Sequence, residues 1–104
     1  MAKFVLVYSG GVMAETEKEQ EAAMAQWMAW FGEIGPALED PGNPFGQSAM
    51  VSQSGDVLTA GASDLTGYSI ISASSIDEAI TTAMRCPVLS GGGSVEVYEA
   101  MPIG

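Results

Sequence analysis

Histidine is missing from the 104 residues, and only one cysteine, Cys86, is present. The first absence removes the usual general base near neutral pH and the commonest metal ligand together. The second precludes an internal disulfide and gives no sign of an oxidising compartment. Positive charge is scarce: Lys3, Lys18 and Arg85 stand against 13 carboxylates, a formal charge of -10. A field of that sign repels phosphate backbones and anionic lipid heads, so no nucleic acid and no membrane is expected as a partner. Long hydrophobic runs are lacking too. The run from Phe4 to Tyr8 is shorter than a signal-peptide core, and that from Ala22 to Phe31 is too short to span a bilayer. These features predict a soluble cytoplasmic protein with no metal site and no cofactor.

What is present reads as a single domain over residues 1–104. At 47% hydrophobic and 15% charged, the chain has the composition of a globular protein rather than a disordered or fibrous one. Residues 3–8 form a strand of β-branched and aromatic character, with Phe4, Leu6 and Tyr8 on one side and Val5 and Val7 on the other. Apolar side chains on both faces predict a central strand. Thr16 and Glu19 have the spacing of a capping box, and Gly35-Pro36 supplies a stop, so a helix is expected from 17 to 34. Met24, Trp27, Met28, Phe31 and Ile34 form its expected apolar stripe, with Trp30 at the edge. Residues 36–47 read as a loop with turn chemistry at Asp40-Pro41-Gly42-Asn43.

Two short strands are expected near 48–53 and 56–60, joined by Ser54-Gly55, then a turn over 61–64 and a strand over 67–73. Ser75 with Glu78 repeats the capping box, and Ile76, Ala79, Ile80, Ala83 and Met84 mark a second helix over 76–85 before Pro87. A glycine-rich connection over 90–94 leads to a last strand over 95–99. The order matches an α+β, ferredoxin-like βαββαβ antiparallel sheet with two helices on one face and a short extra strand. Two helices cover one face only. The other would expose an apolar patch, and a homodimer is therefore expected.

Candidate chemistry is sparse. Glu15, Glu17, Glu19 and Glu21 alternate along a helix start and cannot converge on one ion, so they read as a solvated, dipole-stabilising cluster. The run Ser90 to Ser94 leads into a strand, whereas a phosphate loop leads into a helix, so it reads as a flexible connection. Gly61-Ala62-Ser63-Asp64-Leu65 lacks the final glycine of a nucleophile elbow, and no histidine exists to activate Ser63. Cys86 is expected in the last turn of the second helix, where the dipole disfavours thiolate and packing is the better reading. Any pocket must then be walled by Tyr8, Tyr68, Tyr98, Trp27 and Trp30, with Asp64, Glu96 or Glu99 as acid-base groups. The long loop 36–47 carries Phe45 at its tip, and neighbouring central strands would bring the Tyr8 and Tyr68 hydroxyls close together. The candidate ligand site is therefore Tyr8, Phe45, Asp64 and Tyr68.

From Leu65 onward the chain carries Gly67-Tyr68-Ser69-Ile70-Ile71, Ser75-Ile76-Asp77-Glu78-Ala79, Cys86-Pro87 and Ser94-Val95-Glu96-Val97. Together with the strand Phe4–Tyr8 and the helix ending at Gly35, this resembles the YCII-related domain family, especially its DGPF-containing branch. The resemblance implies a ferredoxin-like fold that dimerises sheet against sheet into an α+β barrel. It also implies a site pairing a histidine on the first helix with an aspartate before the proline after the second. Here those positions fall near Met24 or Gln26 and on Cys86, so the pair is lost. The DGPF motif is replaced by Thr59-Ala60-Gly61-Ala62-Ser63-Asp64. Two functions remain open: a non-catalytic dimeric module that binds a small molecule or a protein, and an enzyme (lyase, isomerase or hydrolase) acting on a small organic acid or aromatic through Tyr or Asp/Glu.

Overall fold

The apolar segment at the start of the chain sits inside a four-stranded antiparallel sheet. In the computed structural model, which describes residues 1–11, 14–59 and 64–103, β1 spans Ala2–Ser9. It lies between β5 (Leu65–Ala73) and β6 (Ser94–Ala100), and β2 (Leu38–Asp40) flanks β5, for an order β2-β5-β1-β6. Across β1 and β5, Phe4 stands opposite Ile71, Leu6 opposite Ser69 and Tyr8 opposite Gly67. Across β1 and β6, Leu6 meets Val97 and Tyr8 meets Val95. The two-residue period then puts Phe4, Leu6, Tyr8, Ile71 and Ala73 on one buried face. Val5, Val7, Tyr68 and Ile70 point to the opposite, open face. Complete burial of Phe4, Leu6 and Ile71 contributes about 1.5–3 kcal/mol for each side chain.

The buried face is covered by α1 (Glu17–Ile34) and α2 (Ile76–Ala83). Both start as the capping patterns dictate. The Glu19 amide donates to Thr16 Oγ1 at 3.1 Å, and the Glu78 amide donates to Ser75 Oγ at 3.2 Å. The Glu19 carboxylate reaches back to the Glu15 amide, and that of Glu78 accepts from Ser74. α1 ends where Gly35 turns to a φ of 63°, and a 3-10 turn over Gly35–Ala37 leads into β2. The backbone of α2 packs against β1, β5 and β6, whereas α1 leans on α3 (Pro87–Ser90) and the 3-10 turn and stands off the strands. Large rings keep it there, with Trp30 buried beneath the helix and its indole N–H donating to the Thr82 carbonyl at 3.2 Å.

Several expectations are corrected. Of α1 only Trp30, expected at the edge of the stripe, is buried, with Trp27, Phe31 and Ile34 half-buried against the core, while Met24 and Met28 are exposed. Both sets have helical spacing, and the bulkier aromatic set takes the core. The expected loop 36–47 contains the edge strand β2, whose pairing is imposed by β5 rather than by its own residues Leu38, Glu39 and Asp40. The two strands expected near 48–53 and 56–60 shorten to β3 (Met50–Val51) and β4 (Val57–Leu58), a hairpin that forms a sheet of its own. Pro87 opens α3 instead of merely stopping a helix. Cys86 is therefore the N-cap of α3 and not part of the last turn of α2. The glycine-rich connection is a tight crossing rather than a flexible link. A Cβ on Gly93 would lie 2.5 Å from the Ser9 carbonyl oxygen and 2.7 Å from Val88 Cγ2. The expected turn over 61–64 lies outside the described residues except for Asp64, as do Ser63 and the end of the strand expected at 56–60. Among the described residues no helix is long and apolar enough to cross a membrane.

Candidate functional site

Because α1 stands off the strands, the space beneath it is packed at one end and open at the other. Packing is aromatic. Tyr8 meets Trp27 edge-on with ring centroids 5.0 Å apart, and Trp30 lies 5.7 Å from Trp27 and 6.5 Å from Tyr8. Edge-to-face pairs of this kind contribute roughly 0.5–1.5 kcal/mol beyond area burial. The open end is a cavity of about 530 Å3. α1 lines it with Gln20, Met24, Trp27 and Phe31, and Tyr8 and Gly67 supply part of the sheet side. The facing wall is the segment Pro41–Pro44. None of the described lining residues carries a formal charge.

That facing wall is held by a chain of hydrogen bonds. Tyr8 Oη–H donates to Ser69 Oγ at 2.7 Å, and Ser69 Oγ–H donates to the Pro41 carbonyl at 2.7 Å. The Gly42 amide donates to Asp40 Oδ1 at 2.8 Å, the local turn that aspartate before Pro-Gly favours. Beyond it the segment runs beside β5 like an added strand. The Tyr68 amide donates to the Asn43 carbonyl at 3.3 Å and the Phe45 amide to the Thr66 carbonyl at 2.9 Å. Gly42 is the pinch point. Its φ is 77°, and a Cβ there would overlap the Tyr68 carbonyl oxygen and lie 2.6 Å from the carbonyl carbon. Only glycine lets the wall come this close.

Burial pushes the Tyr8 hydroxyl well above the ordinary tyrosine range, only partly offset by its bond to Ser69. Its proton is committed to Ser69, and it acts as an anchor rather than a base. Burial likewise pushes the Cys86 thiol up to about 11. A neutral thiol that deep is a poor nucleophile. Tyr98 is raised because its hydroxyl donates to Glu96 Oε1 at 2.7 Å, on the exposed side of β6.

Of the four residues predicted for a site, Tyr8 and Tyr68 both border the cavity, but not as a pair of hydroxyls. Tyr8 faces inward opposite Gly67, whereas Tyr68 stands opposite Val7 and projects to the open face. There it stacks on Phe45, with centroids 5.8 Å apart and planes at 18°. Phe45 and the exposed Asp64 lie outside the cavity lining. The loop does form a wall of the cavity, through Pro41–Pro44 rather than through Phe45. The residues missed were Gln20, Met24 and Phe31 of α1. Their signal was the bulk of the Trp27-Trp30-Phe31 set, too large to let a helix lie close on a sheet. The Glu15 to Glu21 series stays exposed, and among the described residues no cluster of ligand-type side chains could hold a metal ion. No family model matches the chain, and neither the curated proteins nor the solved structures compared with it include a match.

Proposed function

We propose that this chain is a homodimeric, non-catalytic binding module whose cavity beneath α1 takes a neutral, largely apolar small molecule carrying a ring. One observation carries the reading: in a chain of net charge -10, the described residues lining a cavity of about 530 Å3 bear no formal charge. A charged ligand would leave water without a partner, at a cost of several kcal/mol. Aromatic walls with a few polar groups, here Gln20, Asn43 and Thr66, suit a ring with one hydrogen-bonding edge. The commitment of the Tyr8 proton to Ser69 supports binding over acid-base catalysis. The order β2-β5-β1-β6 supports a ferredoxin-like βαββαβ arrangement, as in the YCII-related family that the sequence resembles. The open face, where Val5, Val7 and Ile70 lie beside Lys3 and Glu96, supports a second copy stacked on it. A cytoplasmic location fits the single thiol.

The test is a set of three near-isosteric naphthalenes, namely 1-naphthalenemethanol, 1-naphthoate and 1-naphthylmethylammonium. Each is titrated against the fluorescence of Trp27 and Trp30. The neutral alcohol is expected to bind at least about tenfold more tightly than either ion. Equal or tighter binding of an ion, or no binding of the alcohol, would overturn the reading.

A further inference from the structure

Among the described residues, the tertiary hydrogen bond, ion pair and ring contacts of α1 all fall from Trp27 onward. Trp30 donates its indole N–H to the Thr82 carbonyl, and Glu33 pairs with Arg85 at 3.6 Å. Trp27, Trp30 and Phe31 pack ring on ring, and Tyr8 joins them from β1. The amino half of the helix, residues 17–26, is held differently. None of its side chains is buried, and only Ala23 is even half-buried. Its side-chain hydrogen bonds are those of its own cap, among Glu15, Thr16 and Glu19. Gln20, Ala23 and Met24 share one helix face, and that face borders the cavity rather than a neighbouring element.

The other walls are fixed. Strand pairing holds the sheet side, and hydrogen bonds from Ser69, Tyr68 and Phe45 hold the Pro41–Pro44 segment. Isolated helices shorter than about 12–15 residues are marginal in water even when alanine-rich. The amino half is shorter than that, although Ala22, Ala23 and Ala25 favour helix. Glu17 and Glu21, one turn apart and of like sign, weaken it further. The Thr16 cap and the acidic first turn act the other way and keep the closed helix populated. Because the carboxyl half stays packed, the amino half can melt and re-form on it without a new nucleus. We propose that residues 17–26 are a ligand-gated lid, which melts back to Trp27 to admit the neutral ring compound and closes by packing Gln20, Ala23 and Met24 on it. The proposal rests on the binding reading above and adds how that site is entered and held. A bound small molecule buries most of its surface, so the ligand supplies the packing that this half of α1 does not get from the fold.

Hydrogen exchange of the full chain, read by mass spectrometry with and without 1-naphthalenemethanol, tests the lid. In the free protein the amides of residues 21–26 are expected to exchange at least about tenfold faster than those of residues 4–8 in β1, which open only with the whole domain. With the probe at about ten times its Kd, they are expected to slow by about elevenfold, because an opening that releases the ligand is suppressed by the factor 1 + [L]/Kd. Ala25→Gly, exposed and outside the cavity lining, is expected to speed their exchange about fivefold in the free protein, from the helix-propensity gap between the two residues. Exchange at residues 21–26 as slow as in β1 overturns the lid, since this half would then not open by itself. So does slowing of less than about twofold at a probe concentration where the tryptophan fluorescence shows the site filled, a result that leaves the binding reading standing. An Ala25→Gly protein with unchanged exchange also overturns the lid, because the opening would then not be helix melting. Failure of the probe to bind at all overturns the lid and the binding reading together.

Discussion

Gly42→Ala is the sharpest test of how the cavity wall is held. The new methyl group would coincide with the Tyr68 carbonyl oxygen, which belongs to a central strand and cannot retreat. The Pro41–Pro44 segment must lift instead. Lifting breaks the bonds from Ser69 Oγ to Pro41, from Tyr68 to Asn43 and from Phe45 to Thr66. Alanine at a φ of 77° adds strain of about 1 kcal/mol. The lost bonds cost about 1 kcal/mol each, and Ser69, wholly buried, can recover little from water. The expected loss is about 4 kcal/mol. With an unfolding entropy of roughly 0.22 kcal/mol per kelvin for this length, Tm should fall by about 18 °C. The assay is thermal unfolding by circular dichroism, alongside titration with 1-naphthalenemethanol, whose affinity should drop as the wall moves. Gly46→Ala is the control, because a Cβ there meets nothing within 4 Å. A Gly42→Ala protein that melts within about 2 °C of wild type and binds the probe equally well would refute this account.

Tyr8→Phe removes one buried hydrogen bond while Ser69 keeps its bond to Pro41. Tm should fall by roughly 5 °C, about 1 kcal/mol, with probe affinity nearly unchanged. Stability should decline above pH 9, because unfolded Cys86 ionises near its ordinary 9.0 while the folded thiol holds its proton to about 11. The unfolded state then binds fewer protons, and up to about 2.7 kcal/mol is lost between those values. Tyr8, raised in the same direction, adds to the loss above pH 10. Denaturant titrations from pH 8 to 10.5 should show a shallower decline in Cys86→Ala; parallel curves would contradict the assignment.

Elements with local signals were legible in the sequence. Capping residues at Thr16 and Ser75 mark both main helices, and β-branched runs mark β1, β5 and β6. β2 was not legible, because Leu38-Glu39-Asp40 has no strand character and is extended only by pairing with β5. The face of α1 was half legible. An almost unbroken apolar run offers two stripes at helical spacing, and only tertiary fit selects the aromatic one. The candidate site shows the same limit. That Tyr8 shares a face with Phe4 and Leu6 follows from alternation within one strand. That Tyr68 faces the other way depends on the register between β1 and β5, which composition does not encode.

The central place of β1 bears on how the chain is made. Phe4 finds its partner in Ile71, and Lys3 finds its other neighbour in Ala100. Both pairings close very long loops, which places folding among the slower, millisecond-to-second class. Synthesis is slower still. At about 5–20 residues per second, roughly 5–20 s pass between the emergence of β1 and that of its second partner. For that interval a strand with apolar side chains on both faces has no sheet to enter. The segment Phe4–Tyr8 therefore stays unpaired through most of synthesis, long before the finished molecule has any cavity to fill.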